Sequence, residues 1–154
     1  MPTEMVQLRL SRRHFCRRGF TLLELGITII VVGVLISFAV PGFSRVTEQG
    51  HVDAASQYLR SIWSAERLYW LENKTYTDSL ADLNTLKLID PKIATGNDGY
   101  FNYAITAATS TTFNVTASRA GSGVWTGTLT ITQDGAVSGH VSGSNSTVIS
   151  PPGI

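Results

Sequence analysis

Arg17-Arg18-Gly19-Phe20-Thr21-Leu22-Leu23-Glu24 stands at the head of a run, Leu25 to Val40, that carries no charge. Phe20 to Val40 is 21 residues, about 30 Å as an α-helix and long enough to cross the hydrocarbon core of a bilayer. Within that stretch Glu24 is out of place energetically. A carboxylate costs free energy wherever water is excluded, so an ionisable residue in such a segment points to function. The order is basic leader, small residue, aromatic, lone acid and long apolar run, and any reading must account for all five.

The charge distribution gives the segment a direction. Up to Gly19 the chain carries Arg9, Arg12, Arg13, Arg17 and Arg18 against Glu4, a balance of +4; the whole chain is +1, which leaves −3 for everything after Gly19. Positive residues before an apolar span stay on the cytoplasmic side, so the remainder is expected to be exported. A mildly acidic exported part argues against nucleic acid as a partner, since that needs clustered Lys and Arg. Cys16, the only cysteine, lies in the leader. The exported part can form no internal disulfide and must hold together by packing.

A secretory signal peptide has a shorter apolar core followed by an A-x-A-like site, and Pro41-Gly42-Phe43-Ser44 is a poor match. An uncleaved signal anchor explains the apolar run but neither Gly19 nor Glu24. The stretch from Arg17 to about Pro41 resembles the class III signal of type IV prepilins, G-F-T-L-x-E, with Gly19, Phe20, Glu24 and the apolar run all at the family spacing. The resemblance implies that a dedicated membrane aspartyl peptidase cuts between Gly19 and Phe20, that the Phe20 amine is then N-methylated, and that the run is kept. It also implies that Glu24 of one subunit neutralises the amine of a neighbour in a filament core, and that Gly33 and Pro41 mark a helix kink. Attraction offsets the desolvation of two such ions only if they pair well. Read without the family, Glu24 snorkels to the interface, and Pro41 with Gly42 simply weakens a membrane helix.

Beyond Pro41 the pattern becomes one-sided. Val52, Ala55, Leu59, Ile62, Ala65 and Tyr69 recur at spacings of three and four, one face of a helix, with Asp53, Gln57, Arg60, Ser64 and Arg67 between them. The pattern predicts one helix from about Phe20 to Glu72, ended by Asn73-Lys74-Thr75. Tyr58, Trp63 and Trp70 suit either helix–sheet packing or subunit contact. Residues 73–99 read as a loop with a short apolar piece around Leu80, Leu83 and Leu86; Tyr76 to Leu83 resembles the segment that follows the long helix in pilins and pseudopilins.

The period then changes to two. Phe101, Tyr103 and Ile105; Phe113, Val115 and Ala117; Trp125, Leu129 and Ile131; and Val137 and Val141 alternate with polar residues. This predicts four strands with one apolar face, the last two joined at Asp134-Gly135 by a two-residue hairpin. The expected fold class is α+β: a long N-terminal helix, transmembrane in its first half, packed on a four-stranded antiparallel sheet, as in the type IV pilin fold. The organisation is a cleaved basic leader (1–19), a transmembrane and filament-core helix (20–43), its amphipathic continuation (44–72), an αβ-loop (73–99), the sheet (100–141) and a flexible Ser/Gly/Pro-rich tail (142–154).

No catalytic constellation is legible. His14, His51 and His140 are scattered, and the chain has no phosphate loop and no paired-His metal motif. No cofactor or enzymatic activity is expected. Asp90 and Asp98 in the loop before the sheet are weak candidates for calcium, which the resemblance to secretion pseudopilins would allow, but they do not form an EF-hand pattern. The resemblance implies a pilus subunit that forms a homo-oligomeric helical filament. It would be held in the inner membrane as a single-pass protein before assembly and displayed on the surface afterwards. Its partners would be the prepilin peptidase, an inner-membrane platform and an ATPase-driven machine, and its roles motility, adhesion or DNA uptake. Two alternatives stand beside it. One is a type II secretion pseudopilin, from whose YPT-like segment Tyr76-Thr77-Asp78 departs. The other is a signal-anchored surface binding domain that never polymerises.

Overall fold

The computed structural model describes residues 20–152, apart from the side chains of 39–41. The leader with Cys16 and Gly19, the side chain of Pro41 and the last two residues of the tail lie outside the described residues. The chain divides into two units, Met1–Val40 and Pro41–Ile154, which α1 (Leu22–Asn73) links.

The helix starts where its sequence can cap it. The Thr21 hydroxyl accepts the Glu24 N–H at 3.2 Å, satisfying a donor that has no partner within the helix, and the Thr21 carbonyl accepts the first helical bond, from the Leu25 N–H at 3.1 Å. At the other end the Lys74 N–H donates to the Trp70 carbonyl and Lys74 turns to φ 58°, a left-handed stop just past Asn73. The observed ends agree with the expected helix to within two residues. Gly33 and Pro41 do not end it. Among the described residues no single straight helix is long and apolar enough to cross a membrane; Leu22–Phe38 and Gly42–Asn73, the two arms of α1 on either side of a 44° bend, pass by length and composition only as a pair.

In the second unit, β1 (Phe101–Ala108), β2 (Phe113–Arg119), β3 (Trp125–Thr132), β4 (Val137–Gly143) and β5 (Val148–Ile149) form a meander in chain order, each strand antiparallel to the next. The helix face read from the sequence is the buried one: Val52, Ala55, Leu59, Ile62 and Ala65 lie against Phe101, Tyr103, Phe113, Val115, Leu129 and Ile131 in one core. Gly127 and Gly139 adopt φ 150° and 100°, and an added Cβ at either would collide with the backbone of the facing strand, so β3 and β4 approach more closely there than side chains permit.

Three expectations are corrected. The sheet has five strands, because residues assigned to a flexible tail pair with its edge: Val141 faces Ile149 and Ser142 faces Val148. Burial of Ile149 drives this. Gln49 and Arg60 of α1 then donate to the carbonyls of Ser150 and Pro152, both at 3.5 Å. The 73–99 loop contains α2 (Leu80–Thr85), which buries Leu83, and α3 (Pro91–Ala94), which buries Ile93. The β3–β4 turn is longer than two residues: Ile131 pairs with Val137, and the Gly135 N–H closes onto the Thr132 carbonyl at 3.0 Å. Trp63 packs against Gly135 and donates its indole N–H to the Gln133 carbonyl at 3.0 Å, holding the longer turn against α1.

One ion pair ties α1 to the sheet. Glu48 and Arg119 are both buried at the side chain and meet twice, Nε to Oε1 at 2.5 Å and Nη2 to Oε2 at 2.9 Å. Arg119 also donates to the carbonyls of Tyr100, at 2.8 Å, and Ala120. Removing one partner of such a pair leaves a buried charge uncompensated. Arg119→Ala is expected to cost about 3–5 kcal/mol, and Glu48→Leu with Arg119→Leu together distinctly less. Urea unfolding followed by tryptophan fluorescence measures both.

Candidate functional site

From Leu22 to Phe38 every large apolar side chain is exposed. The two hydroxyls in that stretch are satisfied within the helix: Thr28 donates to the Leu25 carbonyl at 2.8 Å and Ser37 to the Gly33 carbonyl at 3.0 Å. Such back-bonding makes Ser and Thr acceptable where water is absent. Gly26 and Gly33 lie seven residues apart on one face, with open space around each, which allows another helix to approach closely. The surface is apolar on all sides and quiet in its polar groups, except at its start.

At that start Phe20 is 77% exposed and precedes the helix. Glu24 lies in the first turn of α1, where the unpaired N–H groups and the helix dipole favour negative charge. Thr21-Leu22-Leu23-Glu24 has the spacing of a capping box, with Thr21 supplying its half of the pattern. Thr21 caps the helix one residue after Phe20, so Phe20 lies outside the first turn that carries Glu24. The carboxylate and the Phe20 backbone nitrogen nevertheless belong to one short, exposed, water-accessible end.

The calcium candidates are engaged locally. Asp90 caps α3 by accepting the Lys92 N–H at 2.8 Å. Asp98 accepts the N–H groups of Tyr100 and Phe101 at 2.8 and 2.6 Å and the Tyr103 hydroxyl at 2.7 Å. Burial and the Asp98 carboxylate together raise the pKa of Tyr103. Among the described residues no three His, Cys, Asp or Glu side chains come together as a metal site.

Sequence reasoning missed the buried acids. Glu66 is fully buried; its Oε2 accepts the Thr77 N–H at 3.2 Å and its Oε1 has no partner among the described residues. The Thr77 hydroxyl in turn donates to Asp82 at 3.0 Å, so Thr77 bridges the helix and the start of the αβ-loop. Spacing was the available signal: Glu48 precedes Val52 by four, and Glu66 falls between Ile62 and Tyr69 on the apolar stripe. An acid on such a stripe has to find a buried partner or hold a proton. Burial raises the Glu66 pKa from 4.5 to about 7, against a smaller lowering by the Thr77 bond.

That shift has a sign. The folded state holds the Glu66 proton more tightly than the unfolded state, so the stabilisation is complete below about pH 4.5 and is lost as pH rises towards about 7. The expected slope reaches about 1.4 kcal/mol per pH unit within that window. Glu66→Gln keeps an acceptor for Thr77 and should flatten the dependence and stabilise the protein above pH 7. Urea midpoints from pH 4 to 8 for both proteins provide the check, and an unchanged slope counts against the assignment.

No protein-family model matches this chain. The type IV major pilin protein PilA of Myxococcus xanthus is 31% identical over 71 residues, which is 46% of this chain and 32% of that protein. The type IV wide pilus major component PilA4 of Thermus thermophilus is 26% identical over 108 residues, 70% of this chain and 78% of that protein. The type II secretion system core protein G of Pectobacterium carotovorum is 36% identical over 70 residues, 46% of this chain and 45% of that protein. The chain thus spans a third of the first, under half of the last, and most of PilA4.

Proposed function

We propose that the chain is a type IV pilin-like protein, the structural subunit of a type IV pilus-like filament that polymerises through its N-terminal helix. One observation carries the reading: an apolar surface exposed on every side from Leu22 to Phe38, with a single carboxylate, Glu24, at its start. The subunit waits in the inner membrane with this surface in lipid and is then moved into a bundle of identical helices. That transfer costs little hydrophobic free energy, because lipid tails and apolar helices are comparable surroundings. Packing around Gly26 and Gly33 and the pairing of Glu24 then decide the equilibrium.

Prepilin peptidase cuts between Gly19 and Phe20, and N-methylation of Phe20 keeps the new amine charged. In the filament that amine meets Glu24 of a neighbour, where exclusion of water makes an unpaired carboxylate costly. Gly33 and Pro41 supply the kink: Pro41 has no N–H for the helix ladder. The protein is not an enzyme on this reading and needs no cofactor. Platform and ATPase partners drive the extraction, and the assembled heads face outward at the cell surface, in motility, adhesion or DNA uptake.

Similarity to core protein G supports a second reading, a pseudopilin of a type II secretion system. The pilin reading is preferred because the similarity to PilA4 runs over 70% of this chain and therefore includes much of the head.

N-terminal sequencing and intact mass of sheared surface fibres test the proposal. The expected outcome is a methylated Phe20 N-terminus in the sheared fraction and a loss of fibres with Glu24→Ala. Processed protein confined to membranes moves the weight to the pseudopilin. Fibres that assemble normally with Glu24→Ala, or a leader left intact by cells that possess the peptidase, overturn both filament readings.

A further inference from the structure

Two grooves near the end of α1 have opposite chemistry and share no residue. The first, of about 530 Å³, is formed by Trp63, Arg67, Leu68, Trp70, Leu71 and Tyr76. Its walls are mainly apolar, and Leu68 and Leu71 remain 51% and 60% exposed. Its charge is positive: the Arg67 guanidinium sits 5.3 Å over the Trp63 ring, and the Lys74 ammonium 5.1 Å over the Trp70 ring beside it. The Trp70 indole is fixed by donating to the Ser110 carbonyl at 2.8 Å, so the groove has a rigid aromatic wall.

The second groove, of about 400 Å³, lies between the last turns of α1 and α2 and is lined by Tyr69, Glu72, Asp82 and Leu86. It carries two carboxylates around an apolar patch where Leu86 is 44% exposed. Among the described residues the only ion pair is Glu48 with Arg119, so Arg67, Lys74, Glu72 and Asp82 all lack an ionic partner. Each groove offers what the other lacks.

We infer that the aromatic, basic groove of one subunit receives the acidic Glu72–Leu86 face of a second copy of this chain. The two patches are different surfaces of one molecule, so the contact is head-to-tail, and a head-to-tail contact that does not close into a ring propagates as a helix. Leu86 of one copy would cover Leu68 and Leu71 of the next, while Glu72 and Asp82 meet Arg67 and Lys74. Aromatic and arginine side chains around a desolvated centre are the usual anchors of such an interface. Opposite charges at its edge set register more than strength. The inference rests on the filament reading and adds to it a contact between heads, distinct from the N-terminal helix.

Because processing removes Cys16, cysteines placed in the head would be the only thiols of the mature subunit. The test is made on sheared fibres of the full chain carrying Leu71→Cys, Leu86→Cys or both, treated with a short bis-maleimide. The double variant should give a ladder of covalent dimers and higher multimers, and each single variant monomer only. A thiol-reactive dye should label Leu71→Cys in dissociated subunits and much less in fibres. Monomer alone from the double variant overturns the inference. So does equal labelling in fibre and subunit, which would mean a groove left open for a different occupant, or cross-linking of Leu71→Cys by itself, which would mean a two-fold contact. If the cysteines block assembly, Arg67→Glu and Glu72→Lys should each lower fibre yield by about tenfold or more, since like charges then face each other, and their combination should restore it. Failure of the combination to restore yield also overturns the inference. Phe20 processing and Glu24-dependent assembly, measured on the same cells, fail only if the filament reading itself is wrong.

Discussion

A helix that is apolar on every side has nowhere to hide within a small protein, and that constraint shapes the rest of this molecule. Leu22 to Phe38 exposes all its large side chains, so these residues require either lipid or other helices. Their hydroxyls are tied back to the helix's own carbonyls, which suits both surroundings equally. Only Glu24 distinguishes one from the other. In water at a helix start it is a favourable first-turn acid; where water is excluded it needs a cation. Its place in the first turn, with its N–H on the Thr21 hydroxyl, is what the described residues provide for it.

The same helix then changes its solvent. From Val52 onward one face is buried against the sheet while the other keeps polar and basic residues. The head is tied to this half by three kinds of contact. Apolar packing supplies the bulk of it. The Glu48–Arg119 pair joins the helix to the end of β2 and the β1–β2 edge. Glu66 holds the start of the αβ-loop through Thr77. With no cysteine after Cys16, the C-terminal segment relies on Ile149 in the core and on the reach of Gln49 and Arg60 from α1.

These buried acids differ in kind. Glu48 has a bidentate guanidinium partner and remains paired. Glu66 has one N–H and an oxygen with nothing to accept from among the described residues, so it meets burial by holding its proton more firmly. One site resists separation of charge, and the other responds to pH near neutrality.

Local and periodic information was legible in the sequence. The spacing of three and four from Val52 to Tyr69 identified the buried helix face, and the alternation in Phe101–Ile105, Phe113–Ala117 and Trp125–Ile131 identified the inward face of the sheet. The signal from Arg17 to Glu24 gave the resemblance by itself, because it depends on adjacent residues and on the hydropathy that follows. What only the tertiary structure decided involves partners distant in the chain. Glu48 and Arg119 are 71 residues apart, and Gln49 meets Ser150 across 101. Neither partner's local pattern names the other. The Ser/Gly/Pro composition of the tail argued for mobility, yet a single buried isoleucine and a few edge hydrogen bonds order it, since burial in a three-dimensional core outweighs local composition. The two complementary grooves likewise exist only once α1, α2 and the β1–β2 turn have been brought together by folding.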